Sequence, residues 1–228
     1  MSTLADTLIE AGLRHRLVTA RTLAGLLGPG AARRYGLVNR ALKDGSLIRL
    51  KRGLYTLSDR YRSTPPHPYA IAQALRPGSY ISLETALGYH RWIPEAVFET
   101  ASIVPGRKSF ATCHPRYGRF TFAPLAAHHC QFLRSVQRMA LEDRQTALIA
   151  SPLRALMDLV ALRRCQWQGL AWLSEGLRVE AKTLAGLSRQ DFEALSVVYR
   201  HKAANAFLAK LQDAVLGGKT ASRESARP

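Results

Sequence analysis

The sequence predicts an α+β protein, with three helices and a basic β-hairpin at the N-terminus followed by a mixed α/β domain with a helical C-terminal end. Three observations support this expectation. Apolar residues recur at helical spacing up to residue 44 and at strand spacing over residues 47–57. The polar stretch 58–68 ends in closely spaced prolines and separates the two parts. The 228 residues, 47% of them hydrophobic, are enough for two cores.

The N-terminal elements follow from apolar spacing and breakers. A first helix is predicted around residues 4–9, and a second begins at Thr19 and stops at Gly28-Pro29-Gly30. A third lies within residues 31–44, with Val38 and Leu42 facing inward.

The period then changes to that of strands. Residues 47–50 and 54–57 are predicted to form two strands joined by the turn Lys51-Arg52-Gly53. Three helices followed by a basic hairpin are the layout of a winged helix-turn-helix, which binds duplex DNA. We therefore predict a DNA-binding domain over residues 1–60.

The charge balance favours a polyanionic partner. Thirty-three Lys and Arg residues against sixteen Asp and Glu give a net charge of +17. Residues 1–64 carry twelve basic and four acidic residues, so the excess per residue is greatest in the predicted winged domain. Such a field favours nucleic acid first and an anionic membrane surface second.

Specific DNA contacts are expected from the third helix and the hairpin. A helix enters the major groove, where guanidinium groups bind guanine and amide groups bind adenine. Arg40 and Arg34 are the candidates for guanine and Asn39 for adenine, while the hairpin would contact phosphates. The full set of predicted DNA-binding residues is Arg33, Arg34, Asn39, Arg40, Lys43, Arg49, Lys51 and Arg52. The alternative is that these arginines form an ordinary solvated surface.

The remaining chain is divided by composition. Residues 61–68 are predicted to be a linker, 69–216 an α+β domain and 217–228 a disordered tail. Strands are expected over 97–104, 109–113, 119–122 and 147–150. Helices are expected over 69–75, 83–91, 152–162, 167–178, 189–200 and 203–216.

Features that the sequence lacks indicate the cellular compartment. Three cysteines give no disulfide framework, and no apolar run reaches about 18 residues. The acidic Asp6 and Glu10 stand where a secretory signal needs basic residues. We expect a cytoplasmic protein that makes no membrane contact.

Residues that invite a catalytic interpretation are expected to be structural. Ser82 is interpreted as the N-cap of the helix from Leu83, and His90 lies too far along that helix to serve as its base. Asp158 is expected to pair with Arg154 at i, i+4. The acidic residues show no spacing typical of a metal-dependent nuclease or nucleotidyltransferase. No enzyme activity and no cofactor are predicted.

Two Cys/His clusters resemble fragments of a zinc site. Zinc ligands usually occur as Cys-x-x-Cys or His-x-x-x-His elements, and neither cluster has that spacing. No metal site is predicted, and the role of these residues stays open. They are Cys113, His114, His128, His129 and Cys130.

Three segments occur in order along the chain: KRGLY (51–55), YISLETALGYH with the following IPE (80–95) and ASPLRALMDL (150–159). Together they resemble the AbiEi family, the antitoxins of type IV AbiE toxin–antitoxin systems. The resemblance extends to about residue 216. One difference is Arg154, where the family usually has lysine.

The resemblance implies an antitoxin with two activities. The winged helix would bind inverted repeats of its own promoter, two copies per operator, and repress the operon. The protein would be a monomer or weak dimer in solution. The C-terminal domain would counteract a nucleotidyltransferase-like toxin without a stable complex. The alternatives are a stand-alone transcriptional regulator, an interaction protein that acts mainly through residues 69–216, and an RNA-binding module.

Overall fold

A computed structural model of the chain describes residues 3–95, 97–128 and 130–224. Helices and strands are both abundant, so the fold is mixed α+β, as predicted. The chain divides into two compact units. The first unit comprises Met1–Pro77 and Met139–Ala147, and the second unit comprises Gly78–Arg138 and Leu148–Pro228.

The N-terminal part of the first unit alternates helices with short strands. Its strands form an antiparallel sheet in the order β1–β3–β2, in which Leu47 lies opposite Leu57 and Arg49 opposite Tyr55. The predicted helices and the two hairpin strands are confirmed, whereas β1 is too short to leave a pattern and was not predicted. The elements are α1 (Leu4–Glu10), β1 (Val18–Thr19), α2 (Ala20–Leu27), α3 (Ala31–Lys43), β2 (Leu47–Lys51), β3 (Leu54–Leu57) and α4 (Pro68–Leu75).

A small hydrophobic core fixes the orientation of the helices in the first unit. Leu8 and Val18 are fully buried, and α3 contributes Val38 and Ala41 from one face. Leu42 packs against the same core, as its spacing predicted. Burial of each large aliphatic side chain contributes about 1.5–3 kcal/mol. The core therefore determines which face of α3 remains exposed.

Side-chain caps and a glycine set the ends of the first helices. Thr3 and Asp6 form a reciprocal capping box at the start of α1. Thr19 caps α2 by accepting a hydrogen bond from the backbone N–H of Thr22. Gly28 ends α2 with φ = 77°, a left-handed conformation that favours glycine.

The predicted linker, residues 61–68, belongs to the first unit. Arg62 is only 7% exposed, and its guanidinium donates hydrogen bonds to the backbone carbonyls of Arg14, His15 and Thr64. A buried charge with this many partners is part of the folded core. The compact unit therefore continues through α4, and the polar composition of this segment gave the wrong boundary.

The second unit combines a mixed sheet with helices. The sheet has the strand order β6–β7–β5–β4–β9–β8, in which β4 is antiparallel to β5 and parallel to β9. The short β4 and the exposed β8 were not predicted. The elements are β4 (Tyr80–Ile81), α5 (Leu83–Tyr89), β5 (Glu99–Val104), β6 (Phe110–His114), β7 (Gly118–Pro124), β8 (Val136–Ala140), β9 (Thr146–Ala150), α6 (Pro152–Arg163), α7 (Ala181–Ala185), α8 (Arg189–Ser196) and α9 (Lys202–Glu224).

The C-terminal helices differ from prediction in three ways. Residues 217–224 belong to α9 rather than to a disordered tail, and residues 225–228 lie outside the described residues. The Gly-Gly pair inside α9 suggested a stop, although each glycine costs a helix only about 1 kcal/mol. The predicted helix 167–178 is reduced to a π-turn at Trp172–Gly176. The short α7 was not predicted.

Strand β4 and helix α6 contribute residues to a fully buried polar cluster. Arg154 Nε donates to Asp158 Oδ1 at 2.8 Å, and both side chains are 0% exposed. The hydroxyls of Tyr80 and Tyr199 each donate to the Asp158 carboxylate at 2.8 Å. Ser82 adds a third hydroxyl donor at 2.7 Å. We call these residues the Arg154–Asp158 cluster.

The cluster decides two of the sequence predictions. The Arg154–Asp158 ion pair is confirmed. Ser82 occupies the predicted N-cap position of α5, but its side chain makes no capping hydrogen bond and donates to Asp158 instead. Burial, together with the Asp158 carboxylate, raises the pKa of Tyr80 and Tyr199 well above the ordinary value, so both hydroxyls stay protonated as donors. Burial would lower the pKa of Arg154, but Asp158 and the two tyrosines hold it above its ordinary value.

Candidate nucleic-acid interface

Helix α3 and the β2–β3 hairpin line one concavity of about 510 Å³ in the first unit. Four of the eight predicted DNA-binding residues lie along it: Arg34, Asn39, Arg49 and Arg52. None of the described residues that line it is acidic. The remaining lining residues are Ala20, Leu23, Ala31, Tyr35, Val38, Gly53 and Tyr55.

Three other predicted residues lie on the exposed side of α3. Arg33, Arg40 and Lys43 face solvent, because the core takes up the opposite side of the helix. Arg33 and Arg40 are seven residues apart, so at about 100° per residue they point within about 20° of each other. They form a cationic edge of α3, which we call the arginine edge.

The side of α3 that borders the hairpin carries different chemistry. Tyr35 and Asn39 line the concavity, and Tyr35 lies about 140° around the helix from Arg40. The helix therefore presents a phenol and an amide on the side that borders the hairpin. It presents the arginine edge on the other side. A major groove can accommodate both edges, because a whole helix enters it.

Arg34 is placed differently from the prediction that it contacts guanine. Its guanidinium donates a hydrogen bond to the backbone carbonyl of Gly28, in the turn that joins α2 to α3. A carbonyl left unpaired at a helix end is satisfied in this way. Arg34 therefore stabilises the turn and contributes positive charge to the wall of the concavity.

Lys51 is also engaged within the first unit. Its ammonium donates to the backbone carbonyl of Leu75, the last residue of α4, where the helix dipole favours a cation. Burial and the nearby Arg76 guanidinium lower the pKa of Lys51 below its ordinary value. The structure thus makes Lys51 a contact between β2 and α4, and of the three predicted cationic hairpin residues Arg49 and Arg52 line the concavity.

The hairpin tip is fixed to the start of α2. Gly53 takes a left-handed conformation with φ = 78°, and its carbonyl accepts a hydrogen bond from the backbone N–H of Ala20 at 2.8 Å. The adjacent Arg52 is exposed. This tether keeps the tip beside the helices instead of leaving it as a free loop.

The acidic residue at the end of α3 does not neutralise the concavity. The Asp44 carboxylate accepts a hydrogen bond from the backbone N–H of Ser46 at 2.8 Å and lies 3.7 Å from the Arg60 guanidinium. Its hydrogen bonds with Ser46 are the main cause of the lowered pKa of Asp44. The Asp44 carboxylate is therefore partnered by Ser46 and Arg60.

Sequence reasoning missed Tyr35. It is 72% exposed, although a large aromatic side chain is normally at least half buried. Its phenol can stack on a sugar or donate a hydrogen bond to a phosphate. No signal was available in the sequence, because Tyr35, Val38 and Leu42 have the i, i+3, i+7 spacing of a single helix face, which predicts a buried tyrosine.

The sequence predicted neither a metal site nor a membrane-spanning helix, and the residues concerned lie in other parts of the chain. Cys113 and His114 lie on β6, while His128 and Cys130 follow β7. His129 lies outside the described residues. Within the described ranges, no three His, Cys, Asp or Glu side chains are placed to bind a metal ion. No helix of these ranges is long and apolar enough to span a bilayer.

Comparison with known proteins gave no match, either to a family model or to a curated protein sequence.

Proposed function

We propose that the chain is a sequence-specific DNA-binding repressor that uses residues 1–60 as a winged helix-turn-helix. The observation that carries the proposal is that α3 and the β2–β3 hairpin line one concavity, and none of its described lining residues is acidic. A helix beside a cationic hairpin can place base contacts and phosphate contacts on the same duplex.

The two parts of the surface have different roles in this proposal. Arg40, Arg33 and Asn39 on α3 contact base edges, and Lys43 contacts the adjacent backbone. Arg49 and Arg52 on the hairpin contact phosphates. The phosphate contacts release counterions, so affinity falls steeply with salt. Base contacts on α3 supply the preference for one sequence.

The antitoxin activity is a second layer of the same proposal, and it rests on the resemblance to the AbiEi family. The segments that carry it lie in both units, which fits a protein with a repressor part and an antitoxin part. We propose that two copies occupy an inverted repeat in the promoter. The second unit then counteracts a nucleotidyltransferase-like toxin without forming a stable complex.

DNA binding is tested with the intergenic DNA upstream of the chain's own reading frame. Fluorescence anisotropy should show tighter binding to this duplex than to a shuffled duplex of equal length. Arg40→Ala should reduce that preference, whereas Arg14→Ala removes an exposed charge of the first unit outside the concavity and should not. Equal binding to both duplexes by the unaltered chain would refute the repressor. Preference for structured RNA over duplex DNA at fixed salt would indicate an RNA-binding module instead.

Antitoxicity is tested by co-expression with the adjacent reading frame. If that frame arrests growth, the full chain should restore it, and a chain with Arg40→Ala and Arg52→Ala should still do so. If the full chain failed to restore growth, the antitoxin part of the proposal would be wrong and the repressor part would be unaffected. A neighbouring frame without toxicity would favour a stand-alone regulator.

A further inference from the structure

The second unit contains a groove of about 650 Å³ whose rim is cationic. Three guanidinium groups and two imidazoles line it: those of Arg107, Arg164, Arg200, His128 and His201. All five side chains are exposed. We call it the second-unit groove.

No acidic residue offsets this charge within the described part of the groove. Its described lining residues come from four regions of the sequence, and none of them is Asp or Glu: 105–107, 124–128 with 130 and 132, 161–162 with 164, and 200–201. Among the described residues, the guanidinium groups of the three lining arginines make no ion pair and no side-chain hydrogen bond within the protein. Their donors are therefore directed to solvent or to a ligand, and guanidinium forks match phosphate oxygens.

The floor of the groove is apolar, in contrast to its rim. Leu125, Phe132, Ala161 and Leu162 contribute to it, and all four are buried or partly buried. Small-molecule sites typically combine a volume of about 300–1,000 Å³, an apolar lining and a few placed polar groups, and this groove meets that description. An inorganic anion would leave such a floor uncovered, so the groove suits a ligand with both a flat apolar part and a multiply charged part.

We propose that the second-unit groove binds a nucleoside phosphate. The base would cover the apolar floor, and the phosphates would accept hydrogen bonds from the arginines of the rim. Two sources can present this chemistry: a free nucleotide and a single-stranded nucleic acid. Dense positive charge without any interspersed acid fits consecutive phosphates better than the separated carboxylates of an acidic protein segment.

Backbone hydrogen bonds fix the segments that line the groove and do not involve the side chains of the lining arginines. The backbone N–H of Arg200 donates to the carbonyl of Ala126 at 3.2 Å, and that of His128 donates to Val198 at 2.8 Å. The Arg154–Asp158 cluster supports the floor, because Arg154 donates to the carbonyls of Phe132 and Arg134. The lining segments are therefore fixed before a ligand arrives, which favours binding.

Arg164 offers an unusually clean variant. It follows the last turn of α6 in a left-handed conformation (φ = 54°, ψ = 39°), the position at which helices prefer glycine. Arg164→Gly therefore deletes one guanidinium of the rim and relieves the backbone at the same time. Lost binding in this variant cannot be attributed to a weakened fold if its melting temperature is unchanged or higher.

The inference goes beyond repression of a promoter and does not depend on it, since every residue involved lies in the second unit. The experiment uses the full chain with three probes: mant-ATP, a fluorescein-labelled single-stranded oligouridylate and a fluorescein-labelled oligoglutamate peptide. Fluorescence anisotropy at fixed salt should show binding of mant-ATP, oligouridylate or both, and weaker binding of the peptide. The tighter of the first two probes identifies the source.

Groove variants and matched controls distinguish binding in this groove from non-specific attraction to the positive charge of the protein. Arg164→Gly and Arg200→Gln should each weaken the better probe roughly tenfold, as expected for loss of a charged hydrogen bond. Arg189→Gln and Lys210→Gln remove exposed charges of the second unit outside the groove and should change binding less than twofold. Arg52→Ala in the hairpin serves as the control for the first unit and should leave mant-ATP binding unaltered.

Four results would overturn the proposal. Equal losses in groove variants and controls would indicate a non-specific field, and no loss in either groove variant would show that the groove is empty. Tighter binding of oligoglutamate than of both nucleotide probes would assign the groove to an acidic protein segment. Displacement of mant-ATP by tripolyphosphate as effective as by ATP would show that the base makes no contact.

Discussion

The concavity of the first unit and the groove of the second unit both carry arginines and no acidic residue among their described lining residues, yet they are built in different ways. Regular elements position most of the concavity, because α3 and a hairpin place their side chains by helical and strand periodicity. The groove is lined by four segments that end or connect elements. Its charges come from positions nearly a hundred residues apart, from Arg107 to Arg200.

This difference shows what each surface can recognise. A helix and a hairpin have a fixed spacing that can match the repeat of a duplex. A groove between loops has one depth and one floor, which suits a single nucleotide better than an extended helix. The predictions that follow separate the two surfaces, beginning with the largest expected effect.

The Arg154–Asp158 cluster should matter for the second unit far more than for the first. Asp158→Leu leaves the buried Arg154 charge without its carboxylate partner, which should lower the free energy of unfolding by about 3–5 kcal/mol. All three tryptophans belong to the second unit, so their fluorescence in urea reports that unit alone.

The matched control is the double variant Arg154→Met with Asp158→Leu. It removes both charges together and should recover much of the lost stability. A single variant as stable as the unaltered chain would mean that the cluster contributes no net stabilisation and that the support of the groove floor lies elsewhere.

The arginine edge should determine sequence preference in the first unit. Arg40→Ala should cost about 1–3 kcal/mol of discrimination at one or two base pairs and leave binding to non-specific duplex nearly unchanged. A set of operators with single base-pair substitutions, measured by anisotropy, provides the test. A uniform loss over all sequences would assign Arg40 to a phosphate.

The adjacent hairpin residues Lys51 and Arg52 should differ in their effect on the salt dependence of DNA binding. Arg52→Met should reduce the slope of log affinity against log salt by about one, because one phosphate contact is lost. Lys51→Met should leave the slope unchanged, since the ammonium of Lys51 already binds the carbonyl of Leu75. Equal slopes for the two variants would contradict the assignment of Lys51 to packing.

The smallest effect concerns acid stability, which involves one histidine in each unit. Burial lowers the pKa of His67 and of His90 below the ordinary value of 6.5. The unfolded chain therefore takes up these protons first, and stability decreases as the pH falls from about 6.5 through the lower folded values.

The two histidines can be separated by tryptophan fluorescence. His90→Gln should reduce the acid sensitivity of the urea midpoint that the tryptophans report. His67→Asn keeps an N-cap acceptor for α4 and should leave that midpoint unchanged. A shift of equal size in both variants would show that the two units unfold together.

The sequence predicted the parts of the fold that depend on local periodicity. The spacing of Val38 and Leu42 located α3 and its inward side, and alternation over residues 47–57 located the hairpin. The pair Arg154–Asp158 was also predictable, since a helix brings residues four apart together. Winged-helix architecture and DNA contact remain predictions.

The errors concern polar side chains whose partners are remote in sequence. Ser82 donates to Asp158, 76 residues away, and Lys51 donates to Leu75, 24 residues away. In sequence both residues are typical of surface roles, and nothing local indicates that they are already bonded. The second-unit groove escaped notice for the same reason, because its three arginines and two histidines meet only after the sheet and helices have assembled.

Arg62 has a practical consequence for anyone who wishes to isolate the N-terminal part of the first unit. A fragment cut after residue 60 would lack the guanidinium that fastens the peptide between α1 and β1, leaving the carbonyls of Arg14 and His15 without their donor. Such a truncation would be expected to precipitate or degrade during expression. Cocrystallisation trials should begin from a piece that extends past Thr64 and retains α4.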